Sequence, residues 1–195
     1  MAVKRAVVGL RGVALSPVVT NTALAYVSDV AMDLPFAGSM NITANERTQD
    51  IYYDDTLYAS VKEAAGEHIE IRLGEISFET LEELGLGEYD KVTGVFREDF
   101  CPPPGTYSLR AISDTIGRLP YYLKWHAFEL TGVRYDNYAT KGDGISVCEV
   151  IVTGSALKPR YPGMMPKERM RLEEGGANQA DCDAFMSEGD AYPYV

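Results

Sequence analysis

Two histidines, one tryptophan and three cysteines in 195 residues leave little material for the commoner catalytic and metal-binding designs. The cysteines are Cys101, Cys148 and Cys182, an odd and widely spaced set. That excludes a fully paired disulfide framework and offers no CxxC metal pattern. Reduced, cytosolic folding is the simpler expectation. No run of eighteen or more apolar residues is present, so no segment reads as a membrane-spanning helix. The start, MAVKRAVVGLRGVAL, has a short basic stretch but no apolar run long enough for a signal peptide, which predicts a chain made in a cytoplasm and soluble there. Cations are also scarce: 18 Lys and Arg face 29 Asp and Glu, for a formal net charge of −11. Nucleic-acid affinity is dominated by Lys and Arg on phosphates, so this balance argues against sequence-reading of DNA. Solubility is its plain consequence. Its sharper one is a surface past which nucleic acid moves without sticking.

Catalytic signatures are missing as well. No GxSxG, Walker, Rossmann or HExxH pattern occurs. Gly85-Leu86-Gly87 follows a helical segment instead of opening one, so it is no phosphate cradle. His68 and Glu70 share a strand face, with no further ligand type placed nearby in the chain. His126, beside Trp125, reads as a packed or interface histidine and not as a base. Asp54-Asp55 and Glu82-Glu83 are adjacent carboxylates, which point apart on a strand or a helix and do not make an acid–base couple. The expectation is a chain without enzymatic activity, cofactor or metal.

What is abundant is β-like sequence and tyrosine, of which there are 13. Tyrosine joins an apolar face to a hydroxyl, which suits half-buried sheets and wet subunit contacts. From Ile42 to Ile76 two long strand-like segments flank a polar loop, Tyr53-Asp54-Asp55-Thr56, with a break at Gly66. Residues 42–65 read as a projecting hairpin arm, and 68–73 alternate cleanly with Ile69, Ile71 and Leu73 on one face. Phe78, Leu81 and Leu84 mark one short helix over 78–84, with Ser77 as N-cap and Gly85 at its C-terminal stop.

Residues 1–35 read as a short strand, a loop broken by Pro17, and another short strand. Further strands are expected at 92–96, 107–112, 121–131 and 145–157, the last of them final. In 121–131, Tyr121, Leu123, Trp125 and Ala127 face one way and Tyr122, Lys124, His126 and Phe128 the other. The second set is mixed in character, which predicts a subunit contact there. Residues 1–157 therefore form one β domain. Residues 158–195 form an extension rich in Pro, Gly, Met and Glu, without strand periodicity, carrying helical turns near 167–174 and 180–186.

Several landmarks occur in order: Val8-Gly9-Leu10, Tyr52-Tyr53-Asp54-Asp55, Leu84-Gly85, Pro102-Pro103, Thr140-Lys141-Gly142-Asp143, and Gly154-Ser155-Ala156. Together they resemble the major tail proteins, or tail tube subunits, of long, non-contractile-tailed phages, over roughly residues 8–157. The resemblance implies a mainly β fold: a β-sandwich or barrel with one short flanking α-helix and a long β-hairpin arm. It implies a structural virion protein whose hexameric rings stack into a tail tube, the conduit for genome ejection. Its partners would be further copies of itself and the tape measure, tail terminator and distal tail proteins. DNA would pass through the lumen without specific binding, and no membrane would be involved. The protein would reside in the virion tail after synthesis in the host cytoplasm. Tyr52, Tyr53, Asp54 and Asp55, at the tip of the arm, are the expected subunit contacts. Two other functions fit the same composition: a tail terminator or joining protein that forms a ring without polymerising, and a carbohydrate-binding β-sandwich using Trp125 and surface tyrosines as stacking platforms.

Overall fold

The computed structural model describes residues 5–6, 10–34, 37–53, 56–74, 76–98, 105–114, 119–136 and 149–192, with the backbone alone described for 5–6, 11, 46–53, 56–65, 135–136 and 149. The strands are Arg5–Ala6 (β1), Leu10–Asn21 (β2), Tyr26–Ser28 (β3), Met32–Leu34 (β4), Ala37–Tyr53 (β5), Thr56–Leu73 (β6), Gly87–Asp90 (β7), Val95–Glu98 (β8), Thr106–Ser113 (β9), Tyr121–Asp136 (β10), Glu149–Ala156 (β11), Lys167–Arg171 (β12) and Ala191–Tyr192 (β13). The helices are Phe78–Glu83 (α1) and Gln179–Ser187 (α2). The fold is mainly β: an open sheet in the order β1-β5-β6-β11-β10-β9-β2-β3-β13, with β12 added to β10 and β4 to β2, plus a separate β7-β8 hairpin. Among the described residues the paired strands run antiparallel.

Two long strands act as spines, each with one continuous and one divided neighbour. β10 pairs with β9 along one edge, while β11 serves residues 128–136 and β12 serves 121–125 on the other. β2 pairs with β9 along one edge, while β4 takes residues 13–15 and β3 takes 18–21. Pro17 lies inside β2, where a break was expected. Its carbonyl accepts from the Asp29 backbone N–H at 2.9 Å, in the gap between β3 and β4, where no ladder donor is required of it.

Both faces of the central strands are buried, and the registers separate them. Val13, Leu15, Leu109, Ala111, Leu123 and Trp125 pair across β2, β9 and β10 and belong to the apolar core, which Ile69, Ile71, Leu73 and Val152 complete. α1 closes this side through Leu81 and the following Leu84. Its start is set by Ser77, whose hydroxyl accepts from the Thr80 backbone N–H, and its end by Gly85 at φ 70°. The segment expected as one strand over 92–96 is the second half of a hairpin: Val92 lies in the turn, and β7 precedes it. Phe78 stacks on Phe96 at 5.4 Å, tying that hairpin to the helix.

β5 and β6 form the hairpin expected from the sequence. They remain paired from Ala37–Leu73 to Tyr53–Thr56. Among the described residues, β11 accompanies β6 as far as Glu67, and β1 accompanies β5 at Asn41 and Ile42. Beyond that point the ribbon has no other sheet neighbour among the described residues, over a length of roughly 25 Å by strand rise. The root is bulged: Glu67 pairs with Ala44, but Ala64 pairs with Glu46. Gly66 sits in this bulge at φ 110°, and a Cβ there would lie 2.3 Å from the Ala156 carbonyl oxygen. Only glycine satisfies both the backbone angle and the contact.

Residues 158–192 differ most from expectation. The segment expected to turn helical near 167–174 holds β12, paired with β10, and then a single 3-10 turn at Glu174–Gly176. The helix expected over 180–186 is present as α2. β11 is not the last strand, since β12 and β13 follow it and extend β10 and β3.

Candidate functional site

Of the residues expected at the arm tip, Tyr52 pairs with Leu57 and Tyr53 with Thr56. Their side chains, and Asp54 and Asp55 entirely, lie outside the described residues, as do Cys101, Pro102, Pro103, Cys148 and Thr140-Lys141-Gly142-Asp143. His68 is half-buried on β6, and no group of three His, Cys, Asp or Glu side chains suited to a metal converges among the described residues. Glu82 is used structurally, accepting from the Tyr89 backbone N–H at 3.1 Å.

The chemically richest place is the second face of the central strands. Ser16 lies opposite Ser108, and Arg110 lies opposite both Ala14 and Lys124, so β2, β9 and β10 set these side chains on one face together with His126. Arg110 and His126 are fully buried, and Lys124 is 4% exposed. The expected subunit contact on this face is corrected: residues of the same chain cover it. Asp190, carried between α2 and β13, receives Lys124 Nζ at 2.8 Å and Arg110 Nη2 at 3.3 Å. Its own backbone is fixed by Ser28, whose N–H donates to the Asp190 carbonyl at 2.8 Å and whose Oγ accepts from the Asp190 N–H at 2.9 Å. Phe128 does not share this face. A bulge between Trp125 and Phe128 moves it to the apolar core, opposite Tyr107.

Burial is the dominant electrostatic influence here. It lowers the proton affinity of Arg110 and of Lys124, with Asp190 opposing it in both cases. Burial also pushes the Tyr26 phenol well above its usual range, and that hydroxyl donates to the His126 carbonyl at 2.6 Å. The His126 ring packs edge-on to Tyr26 and Tyr192. Its Nε2 lies 3.3 Å from Glu168 Oε1, within ion-pair reach but off the line of a good hydrogen bond. That neighbour holds Glu168 below the ordinary carboxylate range. Neither ring nitrogen of His126, nor Nε or Nη1 of Arg110, has a hydrogen-bond partner among the described residues.

An open cleft of about 550 Å³ overlies the cluster, with Lys124, Glu168, Asp181, Phe185, Asp190 and Tyr192 among its walls. Its buried amine, Lys124, is held by Asp190 at 2.8 Å. Cys182 is the buried residue of α2 itself, and burial with nearby acids raises its thiol pKa, opposite to what reactivity requires. The charges are spent on holding residues 158–192 against the sheet. No sequence signal marked Asp190, because its partners come from strands 66 and 80 residues away.

A second polar junction lies at the root of the arm, where Glu67 accepts from the Trp125 indole N–H at 2.6 Å and from Lys167 Nζ at 3.1 Å. Lys167 Nζ also sits 4.4 Å from the centre of the Trp125 ring. No protein-family model matches the chain, and no curated protein does either.

Proposed function

We propose that this protein is a structural assembly subunit whose copies close into rings and stack as a phage tail tube. The observation that carries the reading is the β5–β6 ribbon, which continues well past its last sheet neighbour among the described residues. A lone two-stranded ribbon is marginal in water, so its length makes sense when another molecule packs on it. The open sheet supports the same view, since pairing its edges with neighbouring copies into a β-sandwich or barrel ring removes an aggregation hazard. In this reading six subunits form a ring and the arm, with Tyr52, Tyr53, Asp54 and Asp55 at its tip, bridges rings. Surplus acid, consistent with the −11 charge, lines the lumen and lets DNA pass. The tape measure, tail terminator and distal tail proteins are the partners, and the completed tail of the virion is the location.

Negative-stain electron microscopy of the purified protein, at low and high concentration, tests this. Hollow tubes or stacked six-fold rings support it, rings that never stack favour a terminator or joining protein, and compact monomers throughout count against both. The carbohydrate-binding reading lacks its main platform, because Trp125 is 1% exposed.

A further inference from the structure

Glu67 stands at a boundary. It is the last residue of β6 that β11 still holds, opposite Ala156, and the last before the bulge that starts the outer ribbon. The next residue outward, Gly66, is pressed against the Ala156 carbonyl with no room for a side chain. Ala156 in turn ends β11, immediately before the chain leaves the sheet for residues 158–166. Lys167 is where the chain rejoins the sheet, opposite Trp125 at the start of β12. The Glu67 carboxylate thus lies between the root of the arm and the first residue of the docked C-terminal segment, with the Trp125 indole between them.

We propose that Glu67 is a positioning residue that couples the arm to residues 158–192, so that docking of that segment on β10 sets how the arm is presented. The bond from Trp125 anchors Glu67 to the sheet, whereas the bond from Lys167 exists only while β12 is in place. Undocking β12 removes the Lys167 contact and uncovers one face of the indole. Displacing the arm root draws Glu67 away from Lys167 and weakens the hold on β12. The coupling is reciprocal by linkage, so whatever engages the arm also biases the C-terminal segment. β12 and β6 share no backbone pairing, which makes this side-chain junction, with Trp125, the short route between them. The coupling does not depend on what the arm contacts, so it stands or falls apart from the tube assignment.

Hydrogen exchange on the full chain, read by mass spectrometry, tests it with three variants. Lys167→Met cuts the ion pair from the segment side, Glu67→Gln cuts it from the arm side while keeping an acceptor for the indole, and Lys167→Arg keeps the charge. The expected result is transfer across the junction: Lys167→Met raises exchange severalfold in residues 37–53 and 56–73, and Glu67→Gln raises it in 167–192. Lys167→Arg should remain close to the parent in both. Lys167→Gln, a milder cut, must move the same peptides by less and serves if Lys167→Met does not fold. Effects confined to each variant's own segment, 158–192 for the Lys167 changes and 37–73 for the Glu67 change, overturn the coupling.

Discussion

Asp190 Oδ1 lies 2.8 Å from Lys124 Nζ, although 66 residues separate them, and the same carboxylate group reaches the fully buried Arg110 at 3.3 Å. One acid thus serves two cations that burial disfavours. Removing the acid and removing one cation should therefore have unequal consequences. Asp190→Ala strips the paired carboxylate from two buried cations, leaving Lys124 only the more distant influence of Glu168, and should cost about 3 kcal/mol or more in urea unfolding. Lys124→Met leaves the Arg110–Asp190 pair and places a thioether near the Phe185 ring, now 4.3 Å from Nζ. It should shift stability by about 1 kcal/mol at most, in either direction. Equal losses would contradict this account.

Gly66 and Gly94 both have positive φ, 110° and 70°. A Cβ at Gly94 meets nothing within 4 Å, whereas at Gly66 it meets the Ala156 carbonyl oxygen at 2.3 Å. Gly94→Ala should cost about 1 kcal/mol, the backbone penalty alone. Gly66→Ala should cost at least about 2 kcal/mol, because β6 and β11 must also separate. Thermal melts of the pair check the ranking.

Glu168 titrates below its ordinary value of 4.5, chiefly because of the neighbouring His126. A carboxylate depressed in the folded state adds stability that is complete above the unfolded value and lost as pH falls through the folded one. Glu168→Gln should accordingly be less stable than the parent at neutral pH, and the two should converge as the pH drops below about 4. A gap that persists unchanged at pH 3 would show that the charge of Glu168 is not what matters.

Deleting Thr48–Leu57 removes the outer ribbon, which has no sheet neighbour beyond itself among the described residues. The body should unfold with an unchanged midpoint, and tubes should be absent from micrographs. Tubes of normal appearance from this deletion would take the bridging role away from the arm.

The elements legible in the sequence are those whose signals are local. Ser77, the Phe78–Leu81–Leu84 spacing and Gly85 define α1 within nine residues. Ile69, Ile71 and Leu73 alternate because β6 has a buried apolar face there. The failures are tertiary. Lys167-Glu168-Arg169-Met170-Arg171 is made of good helix formers, yet the open edge of β10 at 121–125 draws it into a strand. The bulge after Trp125 reverses which face Phe128 occupies, and no residue of that run announces it. The face that Lys124 shares with His126 read as intersubunit because its cover, Asp190, Phe185 and Tyr192, lies in a segment without periodicity, although His126 itself is packed, one of the two readings its place beside Trp125 allowed.

β10 receives β11 and β12 on the same edge, with the chain making an excursion over 158–166 between them. Pro162 and Gly163 are exposed there, and a side chain added at Gly163 would meet nothing within 4 Å. Because both flanking strands are held by β10 independently, lengthening the excursion need not disturb either ladder. An affinity tag or a small fluorescent domain grafted between Pro162 and Gly163 should then leave both ladders intact, giving a labelled subunit for following assembly.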